Sequence, residues 1–145
     1  MWIYYALLAS VCWGMSYAAS GLILKKGVSP LLFFFCYSLC CLVVASVSLL
    51  SVGKNSPVWK FANLDRADYG WFLLSIGIGA LGAYLTYAAM AAKNPTLAAL
   101  IEISYPFFVV LFTWIFFRQV QLNILTLLGG LFVLTGVAVI IVGER

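Results

Sequence analysis

Five apolar runs, each 21 to 24 residues long, follow one another along this chain: Trp2–Leu24, Leu31–Val52, Tyr69–Ala92, Thr96–Phe117 and Leu122–Val142. About 20 residues of helix cross ~30 Å of hydrocarbon, so each run is long enough to span a bilayer. A spanning segment must satisfy its own backbone N–H and C=O groups, and runs of this length do so as helices. The expected fold is therefore an all-α integral membrane domain with five transmembrane helices, occupying residues 1–145 as one unit. Composition leaves no other solvent but lipid: 66% of the 145 residues are hydrophobic and 8% are charged. A soluble domain carries about 25% charged residues.

The boundaries are punctuated. Ser29-Pro30 reads as a helix cap followed by a first-turn proline. Asn94-Pro95 separates the third run from the fourth. Lys25, Lys26, Lys93 and Arg118 stand at ends where long side chains reach the headgroups. The one long connection, from Gly53 to Asp68, carries Trp59 and Phe61, which suit the interface. Tyr4, Tyr5 and Tyr69 sit at run ends as interfacial anchors. The first run is too long for a cleaved signal peptide and lacks its basic start. Five spans put Lys54, Lys60, Arg66 and Arg118 on one side and Lys25, Lys26, Lys93 and Arg145 on the other. Lys/Arg bias normally sets orientation. Four against four sets none: either something else, such as the order of insertion, fixes the orientation, or copies insert in both directions and pair antiparallel.

Glu102 is the only ionisable acid or base well inside an apolar run. It lies ~7 Å from the middle of its helix at a 1.5 Å rise per residue. An ionised carboxylate near a bilayer centre costs at least ~2.5 kcal/mol, and such groups mark solute or proton pathways. Pro106, four residues later, has no N–H to give to the Glu102 carbonyl, so a kink is expected beside the acid. Kinked or interrupted helices at mid-membrane build transporter sites.

Aromatic residues fall on helix faces that can line a cavity or serve in packing or a lipid-facing belt. Trp13 and Tyr17 share a face of the first helix with Ser10 and Ser20. Tyr84 and Tyr87 share a face of the third, and Tyr105 is three residues from Glu102. Such rings can hold an organic cation by its charge. Small residues mark close helix contacts. Gly77, Gly79 and Gly82 crowd the third helix. Gly129 and Gly136, seven apart, lie on one side of the last helix, where they suit a close contact within one subunit or a dimer contact between two.

Other chemistries find no support. There is no histidine, and Cys12, Cys36, Cys40 and Cys41 lack paired C-x-x-C spacing, so no metal site is expected. The cysteines are expected to be buried small hydrophobes. No phosphate-binding glycine loop points to ATP hydrolysis. No basic cluster points to nucleic acid. No nucleophile–base pair points to an enzyme, and no cofactor is implied.

Several pieces together resemble one repeat of the EamA domain, in the drug/metabolite transporter superfamily. They are Trp13-Gly14-Met15-Ser16-Tyr17, Ser29-Pro30, Tyr84 and Tyr87 with the alanines at 88, 89, 91 and 92, Asn94-Pro95, Ala98-Ala99, Pro106, Gly129-Gly130 and Gly136-Val137. The resemblance covers nearly the whole chain. It implies secondary transport by two five-helix repeats of inverted topology around a cavity. One repeat is then expected to find its counterpart in a second copy, as short relatives in the superfamily do, and those relatives dimerise through a similar terminal glycine heptad. Two places depart from the family pattern. Many repeats carry an arginine early in the second helix, where this chain has Phe34-Phe35-Cys36-Tyr37. Many end the fourth helix in Gly-Glu, where this chain has Arg118-Gln119.

The expected function is secondary transport of a small organic solute, of cationic drug or metabolite type, across the inner or plasma membrane. It is expected to be proton-coupled, with Glu102, Tyr105, Trp13, Tyr17, Tyr84 and Tyr87 at the solute and proton site of an antiparallel homodimer. The alternatives are an uncoupled exchanger or lipid-linked sugar flippase, and a non-transporting membrane subunit.

Overall fold

The computed structural model describes residues 1–52, 65–118 and 123–143. Every regular element among them is a helix: α1 (Trp2–Leu24), α2 (Pro30–Leu50), α3 (Arg66–Ala92), α4 (Pro95–Glu102), α5 (Tyr105–Phe117) and α6 (Ile124–Gly143). Counting α4 and α5 as the single span Pro95–Phe117, five of these are long and apolar enough to cross a membrane. The fold is all-α and membrane-integral. Trp59, Phe61, Lys54, Lys60, Gln119, Leu122 and Arg145 lie outside the described residues.

Several ends differ from those expected. The second helix stops at Leu50: the Ser51 amide still completes a helical bond to Val47, and the Val52 amide turns back to Leu49, three residues earlier. The third begins three residues early, at Arg66. There Asp65 Oδ1 accepts from the Asp68 amide at 2.8 Å and Asp68 Oδ2 accepts from the Asp65 amide at 3.3 Å. This reciprocal cap satisfies two amides that a helix start otherwise leaves open. Ser29 does stand at the N-cap of α2, with Pro30 in its first turn, yet its side chain makes no capping hydrogen bond. After α1 the chain reverses at Gly27, whose φ of 88° is a left-handed conformation natural to glycine.

The chain divides into two compact units. The first comprises Met1–Ala18 and Lys93–Arg145, and in it α6 packs against α4 and α5. Val137 of α6 is its buried apolar residue. The second comprises Ala19–Ala92, where α2 packs along α3. Its buried side chains are Ser20, Leu24, Tyr87 and Met90. Large apolar residues such as Leu7, Val43, Ile78 and Phe132 face outward. In lipid this is no penalty, since the tails are as apolar as leucine, and helix association rests on close packing and hydrogen bonds instead. The four cysteines are exposed and free rather than buried. On outward faces of apolar helices a thiol meets the same hydrocarbon that it would meet in a core.

Candidate functional site

The site is built at an interruption in the fourth span. Asn94 fixes the start of α4: its side chain accepts from the Leu97 amide at 2.8 Å, and Pro95 follows in the first turn, where its missing N–H costs nothing. From there α4 runs only eight residues and ends on Glu102. Ile103 and Ser104 form a turn, and α5 begins at Tyr105 with Pro106 in its first turn. The Ile103 amide donates to Ala99, the Ser104 amide to Ile101 and the Phe107 amide to Ser104, each at 3.1 Å. The last two are tighter i to i−3 bonds, so the helical ladder is broken across the proline rather than merely bent. Thr96–Phe117 thus contains two helices where one was expected.

Glu102 is half-buried. The Tyr17 hydroxyl, half-buried on α1, donates to its Oε1 at 3.0 Å. Its other oxygen, Oε2, is buried and has no hydrogen-bond partner among the described residues. A buried acceptor left unpaired costs about 1–3 kcal/mol, and more when it carries charge. The Trp13 ring lies 5.5 Å from that of Tyr17, tilted by 59°. One helix face thereby delivers a hydroxyl to the carboxyl and an indole beside the hydroxyl. All of these residues belong to the first unit.

The other expected site residues are placed differently. Tyr105 opens α5, is 61% exposed and makes no hydrogen bond among the described residues. Tyr84 and Tyr87 belong to the second unit. Tyr87 is 2% exposed, with Phe33 4.9 Å and Tyr37 5.8 Å from it, both edge-on. Tyr84 meets Phe34 edge-on at 6.2 Å. These are packing arrangements of α2 on α3. Ser10 returns its hydroxyl to the Ala6 carbonyl. Gly129 and Gly136 lie on exposed parts of α6, and a Cβ at either would meet nothing within 4 Å. No group of three or more His, Cys, Asp or Glu side chains gathers among the described residues.

Sequence reasoning found Glu102 and the neighbouring proline by cost and chemistry. It did not pair Glu102 with Tyr17, because the two are 85 residues apart and no local period links them. The Asn94 cap was legible, since Asn-Pro before an apolar run is a helix-start signal.

The sequence model of the EamA-like transporter family matches residues 1–142. No curated protein and no solved structure matches the chain.

Proposed function

The chain belongs to the EamA-like transporter family, a family of membrane transporters for small solutes, and we propose that in this member Glu102 exchanges a proton for a small organic cation. The observation that carries this reading is the Glu102 carboxyl itself: one oxygen held by Tyr17, the other buried and unpaired among the described residues, at the end of an interrupted helix. Ionised, the carboxylate attracts a cationic solute. Protonated, it is neutral and releases the solute. Competition between proton and solute for one group couples the two fluxes, provided the site opens to one side of the membrane at a time. Trp13 and Tyr17 supply ring faces that favour a cation.

In this reading two copies work together in antiparallel orientation in the inner or plasma membrane, each contributing its Glu102. Support comes from the even split of Lys and Arg between the two sides and from the open glycine face of α6. Topology reporters fused after Arg145 test it. Signals from both sides of the membrane are expected, and one uniform orientation would sink the antiparallel homodimer.

The coupling is tested in liposomes under an imposed pH gradient. The wild-type chain is expected to drive uptake of a labelled organic cation, and Glu102→Gln to abolish that uptake while keeping the side-chain shape. A Glu102→Gln variant that retains pH-driven flux rules out proton exchange at this residue. Flux that ignores the gradient in both proteins points instead to an uncoupled exchanger or flippase, and folded protein with no flux at all points to a non-transporting subunit.

A further inference from the structure

Resting on the cation-exchange reading of Glu102, we infer that the solute's charged head is a protonated amine with N–H donors, a primary or secondary ammonium, rather than a quaternary one. The inference comes from counting acceptors at the break between α4 and α5. In an unbroken helix each carbonyl receives the amide four residues on. Here the Ser104 amide goes to Ile101, so the Leu100 carbonyl loses its helical donor. Pro106 has no N–H, so the Glu102 carbonyl loses its own. The Phe107 amide goes to Ser104, so the Ile103 carbonyl loses a third. Glu102 Oε2 adds a buried acceptor with no partner among the described residues. The end of α4 is thus rich in acceptors within an apolar span, and the helix dipole places partial negative charge on the same end.

Hydrocarbon offers these oxygens no donor. A carboxylate with a set of bare carbonyls is matched by a cation that brings several N–H groups. A primary ammonium brings three. A trimethylammonium head has the same charge and none, so it leaves the acceptors unpaired. Sites built for hydrogen-bonding groups discriminate steeply against analogues that lack them. The aromatic component does not reverse this. Trp13 and Tyr17 attract either head by its charge, but two tilted rings do not form the enclosing cage that quaternary heads favour.

Calorimetric titration of the protein in lipid nanodiscs at neutral pH tests the inference, with n-butylammonium and butyltrimethylammonium as probes. The primary ammonium is expected to bind at least about tenfold more tightly. Protection of Glu102 from carbodiimide labelling by the same two probes should follow the same order. Pro106→Ala returns an N–H to the Glu102 carbonyl and keeps the carboxylate. It is expected to reduce the preference severalfold by weakening the primary ammonium alone. If that variant fails to fold, the wild-type comparison decides by itself. Equal or tighter binding of butyltrimethylammonium, with both probes lost in Glu102→Gln, overturns the N–H requirement and leaves the cation-exchange reading standing. Folded protein that binds neither probe overturns both.

Discussion

The Tyr17 hydroxyl reaches Glu102 Oε1 at 3.0 Å, and this contact ties the first helix to the end of the fourth span. Tyr17→Phe removes the donor and keeps the ring beside Trp13. Hydrogen bonds between membrane helices are worth about 0.6–2 kcal/mol. A double-mutant cycle of Tyr17→Phe with Glu102→Leu, which leaves no acceptor for the hydroxyl, read from thermal unfolding in micelles, should return a coupling of about 1 kcal/mol. Carbodiimide should also label Glu102 faster in Tyr17→Phe than in wild type, because neither oxygen is then held. A coupling near zero, with unchanged labelling, would mean the contact holds nothing in place.

The height of Glu102 in the membrane depends on where α4 begins. Asn94 sets that point through its bond to the Leu97 amide. Loss of an N-cap side chain costs about 1 kcal/mol, whereas Asp and Ser cap as well as Asn. Asn94→Ala should therefore lower stability by about that amount and speed hydrogen exchange at the Leu97 amide. Asn94→Asp should do neither. Identical behaviour of the Ala and Asp variants would show that the cap does not hold α4.

How much of this was legible beforehand differs by feature. The five spans were, because a hydrophobic run of bilayer length has few alternatives. The acid was, because its cost is independent of tertiary structure. The break was legible only as a kink: proline forbids one hydrogen bond, but whether the neighbouring amides stay helical or retreat to Ile101 and Ser104 depends on packing. Partners were not legible. Tyr84 and Tyr87 share a helical face, and their ring neighbours among the described residues are Phe34, Phe33 and Tyr37, which no local period in the sequence links to them. Nor does sequence show that the four cysteines face outward, since lipid makes both faces of such helices apolar.

The glycines of α6 separate fold from assembly. A methyl group at Gly129 or Gly136 meets no atom within 4 Å among the described residues. The double variant Gly129→Ala, Gly136→Ala should therefore leave subunit unfolding unchanged or slightly improved, because alanine favours helix over glycine by about 1 kcal/mol per site. If two copies meet on this face, the added methyl groups hold the backbones apart, and cross-linked dimer should fall severalfold in membranes. Undiminished cross-linking would move the contact elsewhere.

Arg118 ends α5 in a left-handed conformation, φ 54° and ψ 26°, with its amide directed to the Thr113 and Trp114 carbonyls. It is the one non-glycine residue with positive φ among those described. Many repeats of the kind this chain resembles have glycine at this place, and a Cβ in this region costs about 1–2 kcal/mol. The arginine offsets part of that cost, since its guanidinium carbon lies 6.0 Å from the centre of the Trp114 ring, a contact worth about 0.5–1 kcal/mol at an exposed site. Arg118→Gly and Arg118→Ala both delete the guanidinium, but only the first relieves the backbone. The Gly variant should unfold at a higher temperature than the Ala variant, by the equivalent of about 1 kcal/mol, and lie close to wild type. Trp114→Leu should destabilise the wild-type chain more than it destabilises Arg118→Gly. Equal stability of the Gly and Ala variants would show that the left-handed turn is not strained, and would return the preference for glycine at this position to some cause other than φ.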